Sequence, residues 1–244
     1  MSGIEARDLS FSYGTKQALS AVSFDVAAGE FCALLGPNGA GKSTLFSLLT
    51  RLFTAPQGSI KIAGADLATR PRAALAQMGV VFQQTTLDLD LSVRRNLSYF
   101  AALQGIGGKD AARRIDAALD QLNMRERADE KARNLNGGHR RRAEIARALI
   151  HDPKVLLLDE PTVGLDVAAR QGLVAHVHAL AEAGLCVLWA THLTDEVRAE
   201  DRLIMLDQGR ILKNGMAGDI AAGRPLTQVF LELTGAAQDA GVAL

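Results

Sequence analysis

The chain has 244 residues, 48% of them apolar and 22% charged, and its 27 basic and 27 acidic side chains cancel to a formal net charge of zero. This is globular composition, long enough for one substantial core or two modest ones. The neutral balance argues against nucleic acid as a partner, because proteins that bind polyanions usually carry a basic excess.

The opening MSGIEARDLSFSYG has acidic residues early and no apolar core, so it is not read as a signal peptide. IEARDLSFSY and ALSAVSFDVA read as short strands, and EFCALLG as a buried strand with a continuous apolar run. A helix is expected from about Lys42, then strands in GSIKIAG and GVVFQ. From about Leu91 to Ile150 the pattern turns helical, rich in Ala, Leu and Arg, with breaks at QGIGGKD and NLNGG. This block, approximately residues 85–150, reads as an inserted subdomain. VLLLDE is a second buried strand, Val167–Gly184 a helix closed by its glycine, and CVLWATH a third buried strand. RLIMLDQGRILKNG predicts a hairpin turning at Gln208-Gly209. Strands alternating with helices predict an α/β core with a parallel sheet. The main domain is assigned to residues 1–228 and a C-terminal helix end and tail to 229–244, with fraying expected in GAAQDAGVAL. Cys32 and Cys186 are isolated thiols in separate apolar runs, which points to a reducing cytosol. No uncharged apolar run approaches the ~18 residues that span a bilayer.

GPNGAGKST, Gly36–Thr44, fits G-x-x-x-x-G-K-[ST] between a predicted strand and a predicted helix, the context that motif requires. Gly39 and Gly41 let backbone N–H groups turn inward on a phosphate chain, and the helix N-terminus adds a favourable dipole. Pro37, Asn38 and Ala40 complete the loop; Lys42 would reach the β- and γ-phosphates and the Ser43 hydroxyl would hold Mg²⁺. VLLLDE leaves Asp159 and Glu160 at the carboxyl end of its strand, where open α/β sheets bind ligands. Asp159 would support Mg²⁺, and Glu160 would polarise the attacking water. Gln83 and His192 also end buried strands. Alone each could be a polar residue meeting solvent, but on the same sheet edge they suit a metal or water orienter and a γ-phosphate donor. Tyr13 could stack on an adenine or simply pack on the surface.

LNGGHRRRAEIARAL, Leu135–Leu149, puts two glycines before a basic helix and raises the question of a second phosphate cradle. Arg140–Arg142 read as a solvated helix face, with Arg140 and Glu144 spaced for an i,i+4 pair and Ile145 and Leu149 facing inward. TTLDLDLSVRRNL alternates leucine with aspartate before a helix starting near Ser92, and a plain solvated loop would not need Leu87, Leu89 and Leu91 together.

Tyr13, GPNGAGKST, Gln83, LNGGH, VLLLDEPT, GLD and His192 occur in an order that resembles the ATP-binding subunit of ATP-binding-cassette (ABC) transporters, over about Ile4–Ile220. The resemblance implies an α/β fold: a RecA-like P-loop core, an antiparallel β-subdomain and an inserted helical subdomain. It implies ATP and Mg²⁺ as cofactors, with Tyr13 on the adenine. It also implies a head-to-tail homodimer, in which Asn136, Gly137, Gly138 and His139 of one copy close over the γ-phosphate held by the other, with Asp166 at the same seam. The second cradle would then serve a neighbour's nucleotide. A separate integral membrane subunit would be driven by hydrolysis, with this chain peripheral on the inner face of the cell membrane. In the family the region after the glutamine receives a short helix of that subunit, so Leu87, Leu89 and Leu91 are expected to dock it.

The wording of that loop, and the lack of a long C-terminal regulatory domain, resemble exporters of the ABC-2 type. Asn136 and His139 depart from the usual L-S-G-G-Q. The Asn136 amide can still donate to a phosphate oxygen, and His139 near a helix start suggests pH dependence around neutrality. His139 followed by three arginines also resembles a subgroup associated with pyrroloquinoline-quinone-dependent alcohol oxidation systems. The rival reading is a non-transport ABC ATPase acting as an assembly or regulatory factor.

Overall fold

In the computed structural model, residues 2–235 are described; of the frayed tail expected over 235–244, residues 236–244 lie outside them. The chain opens with the hairpin β1 (Ser2–Tyr13) and β2 (Lys16–Ala27), then β3 (Phe31–Leu35) and α1 (Lys42–Leu49). β4 (Gln57–Ile62), β5 (Ala65–Asp66), α2 (Pro71–Leu75) and β6 (Met78–Val81) follow. Three helices come next, α3 (Val93–Leu103), α4 (Gly108–Gln121) and α5 (Gly137–Leu149). The second half runs β7 (Val155–Asp159), α6 (Val167–Glu182), β8 (Cys186–Thr191), β9 (Arg202–Asp207), β10 (Arg210–Met216), α7 (Ala217–Ala221) and α8 (Leu226–Thr234).

The strands form two sheets. An antiparallel sheet has the order β2-β1-β4-β5, and a six-stranded sheet the order β10-β9-β3-β8-β7-β6. Within the second sheet β9, β3, β8, β7 and β6 pair in parallel, and only β10 is antiparallel. FCALL and CVLWAT are buried along their whole length, as strands covered on both faces must be.

Alternation of side chains divides each central strand between two cores. Phe31, Ala33, Leu35, Leu156, Leu158, Val187 and Trp189 join a core with α3–α6 and α8. Cys32, Leu34, Val155, Leu157, Cys186, Leu188 and Ala190 join the other, with α1 and the antiparallel sheet. Both cysteines are buried and unpaired, and burial pushes the Cys186 thiol up to about 12. α8, which sequence patterning left as a helix end, spans the boundary drawn at residue 228 and inserts Val229 and Phe230 into the core.

The parallel register brings the functional strand ends together. Leu35 lies opposite Thr191, Asp159 opposite Ala190, and Val81 opposite Leu158. Gly36, Glu160, His192 and Gln83 therefore leave the sheet along one edge.

The leucine loop differs from expectation. Leu87 is only 6% exposed and belongs to the helical core, Leu91 is half-buried, and Leu89 alone of the three is exposed. The cause is backbone pairing: the carbonyls of Leu89 and Leu91 accept from Arg133 and Ala132, which clamps the loop onto the segment ahead of α5 and turns Leu87 inward. A carboxylate at position 87 must be desolvated, whereas one at 89 stays in water. Leu87→Asp is expected to cost about 3 kcal/mol and lower the thermal unfolding temperature by roughly 6–12 °C, with Leu89→Asp close to the parent. Paired calorimetric melts check this.

Candidate active site

A cavity of about 610 Å³ opens at the carboxyl edge of the parallel sheet, lined by Tyr13, Asn38, Gly39, Gly41, Lys42, Ser43, Thr44, Gln83 and Glu160. The loop from Gly36 to Gly41 turns tightly between β3 and α1. Gly39 and Gly41 have φ of 84° and 110°, a region costly for any side chain. A Cβ on Gly41 would also stand 2.8 Å from the Ala18 carbonyl. Among the described residues, no carbonyl or side chain accepts from the N–H groups of Lys42, Ser43 and Thr44. These are the orphan donors of a helix start, directed at whatever anion occupies the loop.

Not every loop residue faces the cavity. Gly36, Pro37 and Ala40 build the turn instead: the Ala40 methyl is buried, and its carbonyl accepts from Gly209 at 2.9 Å. The carbonyls of Gly36 and Pro37 accept from Lys42 Nζ at 2.7 and 3.1 Å. Lys42, 5% exposed, also reaches Glu160 Oε1 at 3.2 Å.

Glu160 is the hub of the site. Gln83 Nε2 donates to its Oε2 at 3.4 Å, and His192 Nδ1 lies 3.4 Å from the same oxygen without hydrogen-bond alignment. Its φ of 45° is unusual for a side chain of this size. That turn, with Glu160 N–H donating to Ala190 at 3.0 Å, sends the carboxylate back over the sheet edge instead of along the strand. Beneath it, Glu196 is 2% exposed and accepts from the Trp189 indole at 2.9 Å and from the Thr162 hydroxyl. Nothing in the motif reading pointed to Glu196, which ties the turn after Glu160 to β8.

Burial, and then the neighbouring Glu160, push the Asp159 carboxyl up to about 6, while Lys42 pulls it down. Two successive carboxylates end this strand, with Lys42 against Glu160, and the exposed Ser43 hydroxyl lines the same cavity as Glu160, so the site offers several oxygen donors. That suits a hard divalent cation arriving with phosphate oxygens.

Tyr13 is exposed at the mouth, held edge-on by Phe11 and Phe53, with its hydroxyl 3.4 Å from Thr44 Oγ1. An open aromatic face beside a phosphate loop can stack on a base. Lys16, Gln17, Ala18, Gln208 and Gly209 also line the cavity. The start of β2 and the β9–β10 turn bring them there, and only the hairpin at Gln208-Gly209 had a signal in the sequence.

The second glycine loop does not line this cavity. Asn136 caps α5, its Oδ1 accepting from His139 N–H at 2.8 Å, which leaves the side-chain amide N–H groups free. Added Cβ atoms on Gly137 and Gly138 would meet Leu165 and Ala169 of the same chain at 3.0 and 3.1 Å, so both glycines make room for the start of α6. Asp166 is exposed and caps α6 by accepting from Ala169 N–H at 2.8 Å.

Burial, then Arg127 and Arg142, hold the His139 pKa below its ordinary value of 6.5. One expectation on this helix is corrected. Arg140 does not pair with Glu144 but donates to the carbonyls of Leu135 and Arg133. Glu144 is 1% exposed and pairs with the equally buried Arg141 at 2.8 Å, because the i,i+3 partner lies on the inward face and the i,i+4 partner does not.

Comparison with known proteins places this site in a family. The family described as "ABC transporter" matches residues 19–163. This chain belongs to the ABC transporter family. It is 39% identical to Nod factor export ATP-binding protein I of Rhizobium meliloti (strain 1021) over 91% of this chain and 64% of that protein. It is 33% identical to the linearmycin resistance ATP-binding protein LnrL of Bacillus subtilis (strain 168) over 90% of this chain and 71% of that one. The chain thus spans about two thirds of the length of these curated relatives. Among solved structures, cbiO1 from Clostridium perfringens, part of the ABC transporter complex cbiONQ, superposes with a TM-score of 0.84 at 26% identity, covering 99% of both chains. The ABC fold, with its parallel core, antiparallel sheet and helices between β6 and β7, is therefore the fold of this chain.

The raised Asp159 pKa has a sign that can be tested without nucleotide. Its folded value of about 6 exceeds the ordinary 3.8, so the penalty for ionising it is absent below about pH 4 and complete above about pH 6. Asp159→Asn should stabilise the metal-free protein at pH 7.5, by up to about 3 kcal/mol, and leave it almost unchanged at pH 4. Denaturant melts at the two pH values check both halves.

Proposed function

We propose that this chain is the ATP-hydrolysing subunit of an ABC exporter, working as a head-to-tail homodimer on a separate integral membrane subunit. The observation that carries the reading is the convergence of Lys42, Gln83 and His192 on Glu160 at the phosphate loop. Tyr13 would stack on the adenine, and the free N–H groups of the loop and of α1 would hold the phosphate chain. Ser43, Asp159 and Gln83 would hold Mg²⁺, which supplies charge neutralisation at the β- and γ-phosphates when bound.

The ion pair with Glu160 occupies Lys42 while no phosphate competes for it. With phosphates in the loop, Lys42 would turn its ammonium to them and Glu160 would be free to orient and polarise a water, with His192 placed to donate to the γ-phosphate. Asn136, Gly137, Gly138 and His139 lie outside the cavity of their own chain, which supports service to a partner's nucleotide. Asp166 sits between Val163 and Val167, both exposed at 44% and 58%, apolar surface that suits contact with a second copy.

Export is favoured by the names of the relatives, one for Nod factor export and one for linearmycin resistance. Among the described residues no helix is long and apolar enough to cross a membrane, so attachment to the inner face of the cell membrane is assigned to the partner subunit. Exposed Leu89, with Tyr99 and Leu103 at 66% and 65% exposure on α3, offers that subunit an apolar surface. Purification from detergent-solubilised membranes tests the transport assignment. A co-eluting multi-span protein supports it, while only soluble assembly factors would favour the rival.

Glu160→Gln removes the catalytic carboxylate but leaves the phosphate loop intact. ATP affinity should persist while turnover falls by a factor on the order of 10² or more, the usual share of general-base assistance. Equilibrium binding and phosphate release, measured on one preparation, give the two numbers.

The trans arrangement predicts rescue in mixtures. Lys42→Ala and Gly137→Asp are each expected to be inactive alone. In a mixed dimer one composite site carries both lesions and the other carries neither, so mixing should recover ATPase activity. Crosslinked mixed dimers with no recovered activity and no ATP-dependent closure would argue that each glycine loop serves its own chain.

A further inference from the structure

The backbone at Gln83 is tied to the second glycine helix by a buried polar bridge. Arg141 and Glu144, one turn apart on α5, are 6% and 1% exposed. Arg141 Nη1 donates to the Phe82 carbonyl at 2.6 Å and to Glu144 Oε2 at 2.8 Å, and Nη2 donates to the Gln83 carbonyl at 2.8 Å. The other Glu144 oxygen accepts from Thr86 N–H at 2.7 Å and from its hydroxyl at 3.4 Å. Arg147, a further turn along, donates to the Thr86 carbonyl at 2.9 Å.

Simple packing does not account for this bridge. Ala143, Ile145 and Ala146 already anchor α5 in the apolar core, and desolvating an ion pair generally gains no stability over an apolar pair of the same volume. What the charged pair adds is geometry. A planar guanidinium forked across two successive carbonyls fixes both the distance and the angle of the Phe82–Gln83 backbone relative to the helix axis. From that backbone the Gln83 side chain reaches into the cavity and meets Glu160. At the N-terminal end of the same helix stand Asn136, Gly137, Gly138 and His139.

We propose that Arg141 and Glu144 are positioning residues that make the placement of the glycine loop follow the occupancy of the Gln83 site. When Gln83 shifts from Glu160 toward a bound metal–nucleotide, its backbone carries α5 with it, and the loop offered to the partner copy moves as one piece. The inference rests on the head-to-tail reading above. It adds to that reading a named pair through which one chain's nucleotide reports to its neighbour's.

The test uses full-length protein carrying Glu160→Gln, so that ATP is held without turnover. Arg141→Lys keeps the charge but loses the fork, and Arg141→Met with Glu144→Leu replaces the pair by apolar groups of similar size. Nucleotide affinity is measured on dilute monomer and ATP-dependent dimerisation by light scattering, with thermal melts alongside. The double variant should bind Mg-ATP as the parent does yet need about tenfold more ATP to dimerise, within the roughly 5–150-fold span of coupling between sites. Arg141→Lys should fall between the two. A purely structural role would instead lower melting temperature and nucleotide affinity together. A double variant that dimerises at the parent's ATP concentration overturns the inference alone; should it fail to fold, parental dimerisation by Arg141→Lys does the same. A parent that never dimerises overturns the head-to-tail reading and the inference with it.

Discussion

A nearly buried ammonium–carboxylate contact, Lys42 to Glu160 at 3.2 Å, organises the whole site. Two charges held out of water are tolerable only when each is satisfied on several sides. Lys42 also donates to two loop carbonyls, and Glu160 has Gln83 and His192 within 3.4 Å. Satisfying them requires the ends of β3, β6, β7 and β8 to meet at one place, and parallel pairing in register achieves this. The fold thus holds the phosphate loop and the Glu160 carboxylate together, the carboxylate restrained by the loop's own lysine.

The two cores explain why this edge is firm. Each central strand places alternate residues above and below the sheet, so β3, β7 and β8 cannot slip by one residue without exchanging the sets that pack against α6 and against α1. Trp189 illustrates the link to chemistry. Its ring is fully buried among the helices, and its indole N–H is satisfied by Glu196, which in turn holds Thr162 just after Glu160. Core packing and the position of Glu160 are therefore one problem, solved by a buried acid that contacts no part of the cavity.

The second glycine loop obeys different physics. Within its own chain it is a capped helix start packed on α6, and it does not line the phosphate-loop cavity. A helix dipole and amide donors facing outward suit an anion brought from outside the chain, which is the physical basis of the proposal that a second copy supplies it. The buried Arg141–Glu144 pair hydrogen-bonds the helix that starts at this loop to the backbone of the glutamine that reaches into the cavity.

The sequence by itself determined the local chemistry. The phosphate loop, the carboxylates after VLLLD, the polar strand ends at Gln83 and His192, and the α/β alternation are all written in short spacings, because each depends on a few contiguous residues and on strand or helix period. Only the tertiary structure decided which neighbours those residues meet. Arg140 and Arg141 are adjacent arginines of identical chemistry, yet one turns to nearby carbonyls and the other is buried against Glu144 and the Gln83 backbone, since helix rotation against the sheet selects the inward face. Leu87 and Leu89 are likewise indistinguishable in the string, and backbone pairing to residues forty positions later sent one to the core and the other to solvent. The burial and the arginines that lower the His139 pKa are also invisible in the string. Glu196 carried no signal at all, because its role exists only where β8 and the turn after Glu160 come together.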